Sequence, residues 1–145
     1  DENAVSIHVR RGDYLEPKYW KTTGCVCQLP YYLNAIAEMN KRISQPSYYV
    51  FSDDIAWVKE NLPLPKAFFI DWNKGTESWQ DMMLMSRCRH HIICNSTFSW
   101  WGAWLNPREN KTVIMPERWF RHCETPDICP DKWIKVPINQ PDSIQ

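Results

Sequence analysis

Ala4-Val5-Ser6-Ile7-His8-Val9, running directly into Arg10-Arg11-Gly12-Asp13, is the stretch on which the fold turns. A short run of mostly apolar, β-branched residues reads as a buried strand. It ends abruptly in two cations, a glycine and an acid. A core element that stops at a charged cluster marks an edge where the chain emerges to meet solvent or a ligand.

Outward from it, similar runs recur at residues 48–51, 67–70, 91–94 and 112–115. Between them lie helical patterns. Tyr32, Ala35, Ile36, Met39 and Ile43 recur at 3.6-residue spacing after Pro30, a residue favoured in a helix's first turn. Ile55, Val58 and Leu62 form a second stripe opened by the capping aspartates Asp53 and Asp54. A third helix is expected over 78–89 with Trp79, Met82, Met83 and Leu84 inside. A fourth is expected over 97–105 with Phe98, Trp101 and Leu105 on one side. Strict alternation of strand and helix predicts an α/β, Rossmann-like open sheet of about five mostly parallel strands with helices on both faces. From residue 117 the pattern fails. Pro126, Pro130, Pro137 and Pro141 interrupt a stretch in which only Trp119, Phe120, Trp133 and Ile134 look anchored, so 117–145 is expected to be an irregular tail wrapping the surface. The whole, 1–145, reads as one domain.

Composition narrows the function. Lys plus Arg (17) equals Asp plus Glu (17), so no net field draws the chain to nucleic acid or an anionic membrane, and any anion must be bound locally. The 9 Trp, 6 Tyr and 5 Phe are scattered rather than gathered into a stacking strip. No run approaches the ~20 apolar residues of a membrane span, and the first residues lack a signal-peptide pattern. The expectation is a cytoplasmic protein, peripheral to the inner membrane at most. Of 6 Cys, Cys88 and Cys94 fall in segments that read as buried, which favours free thiols over disulfides. Cys25-Val26-Cys27, and His122-Cys123 followed by Cys129, lack the paired spacings of a zinc site. No metal is expected.

In an open α/β sheet the ligand binds beyond the carboxyl ends of the strands. Here those ends carry Arg10, Arg11 and Asp13; Ser52, Asp53 and Asp54; Asp71; and Asn95, Ser96 and Thr97. Two arginines facing a Ser-Thr helix start supply what a diphosphate needs: guanidinium donors, hydroxyls, and the free N–H groups at a helix's positive end. The plainer reading pairs the arginines with Asp13, Asp53 or Asp54 and leaves Ser96 as a simple cap. Neither a Gly-rich dinucleotide loop nor a phosphate-loop lysine motif is present, because Gly12, Gly24, Gly75 and Gly102 are scattered. The tripeptide Arg11-Gly12-Asp13 follows a buried strand directly and so lacks the projecting loop that adhesion requires. Asn95-Ser96-Thr97 matches a glycosylation sequon, but a glycan there would obstruct the cradle.

His8-Val9-Arg10-Arg11-Gly12-Asp13-Tyr14, then Phe51-Ser52-Asp53-Asp54, then Asn95-Ser96-Thr97-Phe98-Ser99-Trp100-Trp101-Gly102, resemble in content and order the motifs of the α-1,2-fucosyltransferases, most closely the bacterial branch. The resemblance implies a GT-B-type enzyme of two facing α/β domains, of which this chain is the carboxyl-terminal half that holds GDP-fucose. The acceptor domain, which meets the glycan, would be absent. It further implies that Arg11 grips the β-phosphate with Arg10 in support, and that Ser96, Thr97 and Phe98 supply donors to the diphosphate. His8 would lie near the guanosine, Asp81 would take guanine N1–H and N2–H₂, and Asp13 would orient the arginines. Arg11, Arg10 and Asp13 are thus the expected catalytic set, acting without metal or cofactor and inverting the anomeric centre. No general base can be named, and the chain alone is expected to bind GDP but transfer poorly. Two other readings remain: the donor domain of another sugar-nucleotide transferase, and a non-catalytic nucleotide- or glycan-binding module.

Overall fold

The computed structural model describes residues 1–71 and 75–139; Pro141 and the rest of the tail's end lie outside the described residues. Its sheet has six strands, all parallel, in the order β3-β2-β1-β4-β5-β6. They are β1 (Ala4–Val9), β2 (Ser47–Ser52), β3 (Ala67–Ile70), β4 (His90–Ile92), β5 (Val113–Pro116) and β6 (Ile134–Val136). The helices are the single turn α1 (Pro17–Tyr19), then α2 (Leu29–Arg42), α3 (Ile55–Asn61), α4 (Ser78–Arg87) and α5 (Thr97–Trp104). The α/β, Rossmann-like expectation holds.

β1 is central and parity divides its side chains. Val5, Ile7 and Val9 are wholly buried in one core with Tyr31, Tyr32, Ala35, Ile36 and Met39 of α2 and Val58 of α3. Ser6 and His8 turn to the other face, where α4 and α5 pack. There Phe51, Ile70 and Met85 form one cluster, and Ile93, Ala103, Val113, Met115, Trp119 and Trp133 another. α2 forms as expected: Pro30 sits in its first turn, its apolar stripe recurs every three to four residues, and Lys41 and Arg42 complement its carboxyl end.

Three expectations change. The tail is not wholly irregular, because Ile134–Val136 pairs with β5 as a sixth strand, Ile114 opposite Ile134. Trp119 and Trp133 are buried as its anchors. In α4 only Met85 is buried; Trp79, Met83 and Leu84 are exposed. In α5 the buried residues are Ser99, Gly102 and Ala103, while Trp101 and Leu105 face outward. The cause is helix–helix contact. A Cβ on Gly102 would lie 3.0 Å from Met85 Sδ, so the two helices meet along that line and turn their other apolar residues out. All six thiols are free, and Cys27, Cys88 and Cys94 are buried. No helix among the described residues is long and apolar enough to cross a membrane.

Candidate functional site

Strand order reverses direction between β1 and β4, and such a switch point opens a crevice at the carboxyl edge of the sheet. Register decides what meets there. Val9 lies opposite Ser52, so Asp53 follows level with Arg10; Ile7 lies opposite Ile92, so the same stagger carries Cys94 and Asn95 level with Val9 and Arg10. The three polar clusters of the sequence therefore converge.

The two arginines part. Arg10 continues the parity of His8 and lies over the Tyr14 ring at 4.6 Å, while its Nε and Nη2 donate to Asp13 at 3.2 and 2.8 Å. The Tyr14 hydroxyl in turn donates to the Asn95 carbonyl at 2.9 Å, which joins this group to the β4 loop. Arg11 turns toward α3. Its guanidinium stacks on Trp57 at 4.1 Å and its Nε donates to Asp54 at 3.4 Å. The Arg11 side chain is 15% exposed and that of Arg10 36%, so Arg10 is the more accessible cation. The ion pairs of the plainer reading thus exist, as Arg10–Asp13 and Arg11–Asp54.

The aspartate pair after β2 divides its work. Asp54 caps α3, Oδ1 accepting from Trp57 N at 3.1 Å. Asp53 does not cap. Its two oxygens accept the backbone N–H groups of Arg11 at 2.9 Å and Gly12 at 2.8 Å.

The other wall is the start of α5. Asn95 is buried, and its Nδ2 donates to the carbonyls of Thr23 at 2.9 Å and Trp119 at 3.0 Å, pinning the loop to two distant segments. Its NH₂ is committed to the fold, while its Oδ1 is buried without a hydrogen-bond partner among the described residues. Ser96 occupies the N-cap position in extended conformation but makes no side-chain cap bond. Its Oγ is buried, in a residue 2% exposed, and has no hydrogen-bond partner among the described residues. A buried hydroxyl without a partner costs free energy, so its retention at a helix start calls for a ligand or a reason. Thr97 is exposed and Phe98 half-buried, with its ring 5.7 Å from that of His8.

Beside this wall lies a cavity of about 540 Å³ lined by His8, Phe51, Asp53, Asp71, Asp81 and Phe98 among others. Asp81 reaches it from the first turn of α4. A cavity of similar size, about 530 Å³, lies near Trp104, Lys111 and Trp133 at the carboxyl end of α5. Lys111 there spends its ammonium on the carbonyls of Ala103 and Asn106 at the end of α5, and no strand-end cluster converges on it.

Burial pushes the His8 imidazole down to about 3, with Arg10 adding to the effect, so the ring is neutral. Burial raises the Cys94 thiol to about 11 and the Tyr14 phenol to about 12. The hydrogen bond from Arg10 holds Asp13 below its ordinary value, and the same bond raises Arg10. These shifts lead away from neutrality, so the arrangement suits fixed charges and dipoles rather than proton exchange. Among the described residues no three His, Cys, Asp or Glu side chains are grouped to hold a metal.

His8, Phe98 and Asp81 thus line one cavity, while Arg10, Asp13 and Tyr14 lie together beside the Asn95 loop that leads to Ser96 at the head of α5. Thr97 is exposed at the first position of α5, and Arg11 lies on the α3 side. Sequence reasoning missed Trp57, Tyr14's bond to Asn95, and the backbone role of Asp53. Two adjacent aspartates before one helix were a signal, since only one residue can be an N-cap.

The glycosyl transferase family 11 model matches residues 1–136. The alpha-1,2-colitosyltransferase of Escherichia coli is 38% identical over 138 residues, 92% of this chain and 48% of that protein. The O-antigen biosynthesis glycosyltransferase WbnK of Escherichia coli is 37% identical over 92% of this chain and 45% of that protein. The galactoside alpha-(1,2)-fucosyltransferase 1 of Saimiri boliviensis boliviensis is 35% identical over 70% and 28% respectively. The chain spans about half the length of the two bacterial relatives. With a match of this extent, and motifs that converge on one crevice of a Rossmann-like sheet, the chain belongs to glycosyl transferase family 11.

Proposed function

We propose that this chain is the donor-binding half of an inverting α-1,2-fucosyltransferase of GT-B type, which moves L-fucose from GDP-β-L-fucose to a glycan hydroxyl. The observation that carries the reading is the buried, unpartnered Ser96 hydroxyl at the head of α5, in the switch-point crevice that Arg10 enters from β1. A diphosphate there would accept from Ser96 Oγ, from the first N–H groups of α5 at Thr97 and Phe98, and from Arg10.

The assignment of the cations shifts from the sequence expectation. Arg10 is now the residue proposed to meet the β-phosphate, and Arg11, stacked on Trp57, supports the loop from the α3 side. Asp13 orients Arg10 by its two charge-assisted bonds. Three aspartates, 13, 53 and 54, outnumber the two arginines at this edge, so anion binding rests on directed donors rather than net positive field. The cavity beside the crevice would take the nucleoside, with neutral His8 and Phe98 along it and Asp81 as acceptor for guanine N–H groups.

Chemically, breaking the sugar C1–O bond leaves growing negative charge on GDP. Donors already fixed around the β-phosphate stabilise that charge more in the transition state than in the ground state. Arg10 would act without exchanging a proton. The acceptor hydroxyl and any base for it belong to the part of the enzyme that faces this crevice.

Calorimetry with GDP, UDP and ADP tests the reading. GDP should bind most tightly, and Arg10→Ala should weaken it by about 1.5–3 kcal/mol, the worth of a hydrogen bond to a charged group. Tighter binding of UDP would overturn the nucleotide assignment. An Arg10→Ala protein that binds GDP normally would overturn the cradle. The colitosyltransferase relative supports a second reading of the sugar alone, with colitose in place of fucose on the same nucleotide site.

A further inference from the structure

Asp53 lies one residue past β2, yet both of its oxygens serve the loop after β1. They accept Arg11 N–H at 2.9 Å and Gly12 N–H at 2.8 Å. Successive backbone N–H groups turned to one point form an anion-binding concavity, and here the anion is supplied by the protein itself.

Gly12 fits this contact and little else. Its φ is −33°, so no left-handed backbone calls for a glycine there. A Cβ at that position would stand 2.6 Å from Asp53 Oδ2, well inside contact distance. The glycine is what lets the carboxylate approach. Gly12 is also the N-cap of the short 3₁₀ turn Asp13–Leu15, whose first residue, Asp13, holds Arg10 by two bonds. A chain of fixed contacts therefore runs from Asp53 through the Gly12 backbone to Asp13 and the Arg10 guanidinium. The neighbouring Asp54 already caps α3, so Asp53 is not needed for that.

We propose that Asp53 is a positioning residue for phosphate recognition: seated on the Arg11 and Gly12 N–H groups, its carboxylate fixes the loop that aims Arg10 at the head of α5. The inference rests on the reading of that crevice as a phosphate site. Asp53 itself touches no phosphate, since an anion beside it would be repelled. Its contribution is directional. Because Arg10 is assigned to the β-phosphate, disturbing Asp53 must weaken GDP more than GMP.

The test is calorimetry of GDP and GMP with the wild-type chain, Asp53→Asn, Gly12→Ala, Asp53→Ala and the Gly12→Ala/Asp53→Ala double variant, each checked by its melting curve. Wild-type chain that prefers GDP to GMP upholds the phosphate site itself; no preference overturns that site, whatever Asp53 does. Given that preference, Asp53→Asn retains one acceptor but turns an amide toward the second N–H. It should cut GDP affinity at least tenfold and GMP affinity by a clearly smaller factor, since Asp53 also lines the nucleoside cavity. Gly12→Ala should reproduce this by displacing the carboxylate without removing it, and serves alone if Asp53→Asn does not fold. In the Asp53→Ala background the added methyl has room, so the double variant should be no worse than Asp53→Ala. Unchanged GDP affinity in folded Asp53→Asn or Gly12→Ala, equal loss of GDP and GMP, or additive effects in the double variant would each overturn the proposal.

Discussion

Replacing Ser96 with alanine separates a cap from a ligand group, because the two roles predict opposite signs. An ordinary N-cap serine bonds an N–H of the first turn, and losing it costs about 1 kcal/mol of stability. Ser96 makes no such bond, and its Oγ is buried without a partner. An unsatisfied buried polar group carries a penalty of about 1–3 kcal/mol. Removing it should leave the unliganded chain equally stable or raise its stability by up to about 1 kcal/mol, part of the gain being lost to the small void. Binding should move the other way. A hydroxyl donating to a charged phosphate is worth about 1.5–3 kcal/mol, so GDP affinity should fall about 10- to 100-fold. Urea melts of the free protein and calorimetry with GDP measure the two halves independently. A Ser96→Ala chain that loses about 1 kcal/mol of stability and binds GDP as before would refute the reasoning and return Ser96 to the role of a cap.

Two further outcomes follow from the buried polar groups. His8 and His91 are both held down to about 3 by burial, against about 6.5 when unfolded, so between those values the unfolded chain binds protons that the folded one refuses. Their contribution to stability is complete above about pH 6.5 and is lost as the pH falls toward 3, at up to about 1.4 kcal/mol per pH unit for each ring. The melting temperature should therefore fall from pH 7 to pH 5.5, above the range in which most carboxylates titrate, and a level profile over that interval would contradict the lowered pKa of both rings. Asn95→Ala strands the carbonyls of Thr23 and Trp119, and should cost about 2–4 kcal/mol in a urea melt. Stability unchanged within about 0.5 kcal/mol would mean that the loop is held by other contacts.

Five strands were legible because each is an apolar run bounded by polar residues, and a parallel sheet buried on both faces demands that pattern. β6 was not. Three residues, Ile134-Lys135-Val136, between Pro130 and Pro137 carry too little signal, and only the open edge of β5 makes a strand of them. The outward faces of α4 and α5 were misread for a related reason. Apolar identity says that a residue gains by burial, but Gly102 against Met85 decides which residues obtain it, leaving Trp79 and Trp101 outside.

The same division runs through the crevice. The residues themselves determined its chemistry: paired arginines at a strand end and a Ser-Thr helix start form a donor set in any arrangement that brings them together. Tertiary structure decided which donor points where. Adjacent residues at the end of a strand leave on opposite faces, so Arg10 and Arg11, indistinguishable as letters, part toward Tyr14 and Trp57. The register of β1 against β2 then gives Asp53 to the loop backbone and leaves Asp54 to cap α3, because hydrogen-bond pairing between strands is long-range and local sequence cannot specify it.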